Sequence, residues 1–214
     1  MRSSLDGRRM QSARMDKGKA MICGVILAGG EARRMGGQDK GRLLLRGQSL
    51  YAHVIDRARP QVDHLILSAN GDPALYADLG LDVVADGAFA AMGPLGGVLA
   101  ALRAAKMLGA QRVMSFASDS PFFPSDIVAK LCAAQGHDAL VFAEDQSGGI
   151  HPTFALWDVD LADPLAAELR GGGRKMRDVM ARLGGVSAPL DACEQAFFNI
   201  NTKADLEQAA EMAL

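Results

Sequence analysis

Three basic side chains, Arg33, Arg34 and Lys40, stand among two glycine pairs in VILAGGEARRMGGQDK, residues 25–40. Glycine at positions 29 and 30 lets a backbone turn sharply and removes the Cβ that would hold a ligand away. Successive exposed N–H groups can then cradle phosphate oxygens or a base edge. The basic side chains add the charge that a polyphosphate needs beyond isolated N–H donors. Asp39 is placed beside Lys40 to hold it. Two common phosphate loops do not fit. The Walker pattern is absent because Lys40 follows Asp39 and precedes Gly41, and no G-x-G-x-x-G occurs at 29–37. A strand-to-helix turn with solvent-facing arginines is the plainer alternative.

Other polar residues stand where apolar runs stop. Asp119 ends RVMSFASD (112–119), Asn70 ends HLILSAN (64–70) and Asp86 ends LDVVAD (81–86). Ligands of open parallel sheets bind beyond the carboxyl ends of the strands. An amide such as Asn70 can read a base edge with a donor and an acceptor, although an asparagine before Gly71 also suits a plain turn. Asp119 can equally be a turn or N-cap aspartate before Ser120-Pro121. No serine–histidine–aspartate or cysteine–histidine arrangement is found, and His151 in HPTF reads as a structural residue rather than a base.

The elements that must position these residues alternate along the chain. Strands are expected at 21–27, 64–70, 81–86, 112–119 and 138–145. HPTFALW (151–157) alternates in polarity and reads as a strand at the sheet margin, and AFFNIN (196–201) as a last strand. Helices are expected at 50–60, 74–80, 93–109, 124–136 with Ser125 as N-cap, 159–170 and 174–183. A final helix follows Thr202, its N-cap, with Asp205 at the third following position. Strands alternating with helices predict an α/β fold with a mainly parallel sheet covered on both faces. One domain over 21–214 is the economical reading. The polar, basic residues 1–20 read as a disordered extension without a secretory apolar segment.

The chain has 214 residues, 49% hydrophobic and 22% charged, with a formal charge of −2. That length suits one medium α/β domain. The charge balance gives no reason to expect nucleic acid or an anionic membrane as a partner. No run approaches the length of a membrane span. The three cysteines are odd in number and widely spaced, indicating neither a disulfide framework nor a zinc site. A cytoplasmic protein is the expectation.

LAGGEARRMGGQDK resembles the signature of nucleotidyltransferases with a Rossmann-like sheet, and within them most closely the molybdenum cofactor guanylyltransferases. The resemblance covers about residues 22–210. It implies a three-layer α/β/α sandwich of the nucleotide-diphospho-sugar-transferase type. It further implies transfer of GMP from GTP to a molybdenum–molybdopterin cofactor, with release of pyrophosphate and a need for Mg2+. Leu27, Ala28, Gly29 and Gly30 match the family's nucleotide loop, and Lys40 its phosphate-contacting lysine, with Arg34 as a further catalytic cation. Asn70 matches a guanine- or ribose-contacting residue, and Asp86 an aspartate of the nucleotide pocket. Gly93 opens GPLGG, which matches the family's GPL-x-G and brings the free N–H groups of a helix start to the nucleotide. Asp119 matches the magnesium-binding aspartate, and a hard cation that keeps some waters needs only one or two carboxylates. GGGRKMRDVM resembles the family's basic segment near the pterin site, with Arg174, Lys175 and Arg177 as candidates for its phosphate, while clustered charges also suit a solvated helix face. FNINT resembles the family's N-x-N-T ending, so Asn199 and Asn201 line the site by resemblance, and Asn201 can instead cap the last helix. Proteins that deliver molybdopterin and molybdoenzymes that receive the product are the implied partners. Alternatives are a related transferase using CTP or a sugar-phosphate acceptor, and a non-catalytic cofactor-delivery protein.

Overall fold

The computed structural model describes residues 20–28 and 39–212. Strand β1 (Ile22–Leu27) is buried at every position, as a strand covered on both faces must be. It pairs in parallel with β4 (His64–Ser68) on one side and β6 (Arg112–Ala117) on the other. β5 (Asp82–Val84) continues the parallel sheet beyond β4. Beyond β6 lie β8 (Ile150–Asp158), β7 (Leu140–Glu144) and β9 (Val186–Pro189), giving the order β5-β4-β1-β6-β8-β7-β9. Only β8 runs against the rest.

The chain leaves β1 towards β4 and β5, then returns through α2 (Pro94–Met107) to β6 on the opposite side. Strand order therefore reverses between β1 and β6, and the crevice beyond their carboxyl ends is where such sheets bind ligands. Successive residues of β1 point to opposite faces. Ile26, Phe116 and Phe154 join α1 (Leu50–Ala58) and α3 (Ile127–Gln135) in one core. Val25, Val113 and Trp157 join α2, α4 (Ala162–Arg170) and α5 (Met176–Arg182) in the other.

A third, smaller core closes one end of the crevice. Leu45 and Leu50 flank the hairpin of β2 (Leu44–Leu45) and β3 (Gln48–Ser49), and they pack with Phe122, Ile200 and Ala209 of α6 (Lys203–Glu211). The hairpin turns through Arg46 (φ 50°) and Gly47 (φ 82°), the positive-φ pair that suits a two-residue loop between twisted strands. The Arg46 guanidinium donates to the Ala210 carbonyl (2.8 Å), tying the hairpin to the end of α6. Thr202 caps α6 in a capping box with Asp205, as its spacing predicts.

Four expectations are corrected. HPTFALW is not marginal: β8 sits between β6 and β7, with Phe154 to Trp157 all buried. The alternating polarity that suggested a margin comes from its first residues, which are only partly buried. AFFNIN is not a strand: Glu194–Phe197 is a 3-10 turn, and Phe197 and Ile200 enter different cores. The seventh strand of the main sheet is β9, whose VSAP buries only Ala188 and carries no apolar run. Ser125 does not cap α3; Gln61 Oε1 accepts from Val128 N (3.1 Å) instead, a long-range side chain meeting an orphan donor. Among the described residues no helix is long and apolar enough to cross a membrane.

Candidate active site

The strand-end residues line one rim in sheet order. At the β5 and β4 ends, the buried Asp86 carboxylate accepts from Ser68 Oγ (2.8 Å) and Asn70 Nδ2 (2.9 Å). Asp86 N donates back to Asn70 Oδ1 (3.0 Å). The Asn70 amide is thus fixed by Asp86, which acts as its holder. At the β1 end, Leu27 is buried and Ala28 N donates to the Ser68 carbonyl (2.9 Å). Gly29, Gly30 and Arg34 lie outside the described residues.

Gly93 adopts φ 59° and ψ −145°, open to glycine alone, and starts α2 at this rim. Gly96 and Gly97 let that helix approach the sheet. A Cβ on Gly96 would lie 2.4 Å from the Phe89 carbonyl oxygen, and one on Gly97 2.5 Å from Ser68 Oγ. Gly97→Ala therefore displaces the hydroxyl that holds Asp86. It is expected to cost about 1–3 kcal/mol, read as a lower urea midpoint with an unchanged slope.

The other end of the crevice brings together residues far apart in sequence. Lys40 Nζ donates to Asn201 Oδ1 (2.8 Å), 161 positions away. The neighbouring Ile200 N donates to the Asp119 carbonyl (2.8 Å), and Ser120 Oγ donates to Asn199 Oδ1. Segment 199–201 thereby bridges Lys40 and Asp119. Burial raises the pKa of Asp119, and the nearby Lys40 ammonium pulls it down. The Asp205 carboxylate accepts from Asn201 N and Thr202 N (both 2.8 Å), so the cap of α6 also positions the lysine's partner.

Asp39 does not hold Lys40. Its carboxylate accepts from Gly41 N (3.0 Å) and from the buried Tyr51 hydroxyl (2.9 Å). Gly41 lies flat on that ring, where a Cβ would be 2.2 Å from Tyr51 Cζ. Arg42 adds a bidentate pair with Asp78, both bonds 2.8 Å. Lys40 thus projects from a pinned turn. Tyr51 was not singled out in the sequence, where it is one apolar position of a helix.

The basic segment reaches the same rim. Arg177 Nη2 donates to the carbonyl of Ile150 (3.1 Å), the first residue of the antiparallel β8. β8 begins where β6 and β7 end. Arg174 donates to the carbonyls of Leu169 (3.1 Å) and Gly173 (2.8 Å), with Lys175 beside it in a cleft of about 540 Å³. Arg174 therefore serves the end of α4 while lining that cleft.

Among the described residues no three His, Cys, Asp or Glu side chains gather into a metal cage. Magnesium does not need one, because it keeps waters and takes phosphate oxygens alongside one or two carboxylates. Asp119 fits that role. It is a half-buried hard-oxygen donor whose charged form is penalised by burial, and a cation relieves that penalty.

A family profile described as MobA-like NTP transferase domain matches residues 24–186. A molybdenum cofactor guanylyltransferase of Cereibacter sphaeroides is 44% identical over 191 residues, covering 89% of this chain and 96% of that protein. One of Bradyrhizobium sp. is also 44% identical, covering 90% and 93%. The crystal structure of molybdopterin-guanine dinucleotide biosynthesis protein A from Archaeoglobus fulgidus shares the fold. Its TM-score is 0.72 at 24% identity, with 88% of this chain and 97% of that one covered.

Proposed function

The chain belongs to the MobA-like NTP transferase family, and from that premise we propose that it transfers GMP from GTP to a molybdenum–molybdopterin cofactor. The observation that carries the reading is the meeting of Lys40 and Asp119 through segment 199–201 at the strand-order reversal. A cation and a carboxylate converge there beside the start of the glycine-rich loop. An anionic triphosphate needs such a place.

A terminal phosphate oxygen of the pterin attacks the α-phosphorus of GTP in line. A new P–O bond forms, the bond from the α-phosphorus to the bridging oxygen breaks, and pyrophosphate leaves. The nucleophile is already an anion, so catalysis reduces to alignment and charge neutralisation. Lys40 supplies positive charge at the phosphates, a role that the family resemblance extends to Arg34, with Gly29 and Gly30 in the nucleotide loop. Asn201 aims Lys40. Asn70, held by Asp86, meets the guanosine, and Gly93 opens the helix that faces it. Arg174 and Asn199 lie on the pterin side. Asp119 holds magnesium, which when bound supplies further neutralisation of the triphosphate. The free thiols Cys23, Cys132 and Cys193 suit a reducing cytoplasm.

The test is pyrophosphate release with magnesium, molybdopterin and each of GTP, CTP, ATP and UTP in turn. Release with GTP far above the others is expected. Equal or faster release with CTP moves the chain to the cytidylyl branch. GTP binding without release makes it a carrier.

A further inference from the structure

A built pair of side chains at this rim has no part in the proposed chemistry so far. His151 Nε2 bonds Asp145 Oδ2 at 2.7 Å, and the Asp145 side chain is only 1% exposed. The other carboxylate oxygen accepts from Ser147 N (2.8 Å), Ser147 Oγ (2.6 Å) and Gly149 N (3.1 Å). These bonds, with the Ser147 hydroxyl first and His151 next, hold the carboxyl far below its ordinary range. An ionised carboxylate at Nε2 requires that nitrogen to carry the proton. The His151 ring lies flat on Phe197, with centroids 4.0 Å apart and planes 16° from parallel. The hydrogen bond of the ring runs through Nε2, none is made by Nδ1 among the described residues, and 19% of the side chain is open.

The backbone is shaped to make this arrangement. The β7–β8 register shifts between Phe142 and Ala143: Phe142 faces Ala155 while Ala143 faces His151. Pro152, Thr153 and Phe154 are the extra residues. Bulges of this kind re-aim a side chain and are frequent beside active sites. Phe197 then leads, three residues on, to Ile200, which donates to the Asp119 carbonyl. Three extended residues span at most about 10 Å, so the Phe197 that carries the His151 ring and the Ile200 that meets Asp119 belong to one short run of chain. Arg177 bonds the carbonyl of the adjoining Ile150.

We infer that His151, oriented by Asp145 and Phe197, binds the terminal phosphate of the acceptor through Nδ1. This rests on the reading of the chain as a transferase to a phosphate acceptor. A phosphate monoester meets the ring in either protonation state. Its monoanion donates P–OH to the bare nitrogen, and its dianion accepts from the imidazolium. Asp145 is a positioning residue that acts through His151.

The test is His151→Phe in the full chain, which keeps a ring on Phe197 and removes both nitrogens. Molybdopterin affinity is measured by equilibrium dialysis, and KM values by pyrophosphate release. The acceptor Kd and KM are expected to rise about tenfold or more with GTP affinity near wild type, and the melting temperature to fall because the buried Asp145 Oδ2 loses its donor. Unchanged acceptor values overturn the inference and leave the transferase reading intact. Parallel loss of acceptor binding, GTP binding and stability also overturns it, making His151 a structural residue. A wild-type chain that neither binds molybdopterin nor releases pyrophosphate removes both readings together.

Discussion

Asp119→Asn should lower turnover with GTP and magnesium by about a thousandfold or more, while leaving the fold as stable as wild type or slightly more so. The two effects share one cause. Burial makes the ionised carboxylate costly, and the folded chain raises its pKa above the ordinary 3.8 despite the opposing Lys40. The folded state then binds the proton more tightly than the unfolded state. Stability falls as pH rises from 3.8 through the raised folded value, and the cost is complete above it. An asparagine never ionises, so it carries no such cost, and its advantage should shrink as pH is lowered through that window. A structural aspartate behaves in the opposite way, because its removal leaves hydrogen-bond donors without a partner. Pyrophosphate release and thermal melting on one preparation separate the cases. Retained turnover, or a large loss of stability without loss of turnover, removes Asp119 from the metal site. Asp119→Ala should lose turnover equally.

The ends of the buried strands were legible because apolar runs stop there. Asp119, Asn70 and Asp86 stand at those stops, and the family resemblance marks the same three residues. The Thr202–Asp205 capping box was legible because its two partners are three residues apart. What the sequence hid is long-range. Nothing local tells that β8 inserts between β6 and β7, since antiparallel pairing is settled by the whole sheet. Phe197 and Ile200 look like one strand because both are apolar, yet they serve separate cores. Asp39 was paired with Lys40 by adjacency, but its partner is Tyr51, brought in by α1. The Asp145 partner of His151 and the bulge beside it likewise have no sequence signature.

Lys40→Ala should reduce kcat by about a hundredfold to a thousandfold, the loss typical of removing one preorganised donor from a developing anion. The Lys40 ammonium rests against Asn201 Oδ1, a neutral oxygen that orients it without cancelling its charge. Its turn is pinned by Asp39, Tyr51 and the close seat of Gly41 on that ring. The charge is therefore held in place before the triphosphate arrives, and little reorganisation is needed when charge develops. Lys40→Arg should not restore the rate, because a planar fork cannot reproduce a single ammonium aimed past one amide. Asn201→Ala should cost less, about tenfold, since the charge stays while its aim loosens. Single-turnover rates at saturating GTP give the comparison. A Lys40→Ala rate within a few-fold of wild type, or an Asn201→Ala loss as large as that of the lysine, would show that the ammonium does not act at the phosphates. Asn201 would then matter chiefly as part of the α6 cap, through its bond to Asp205.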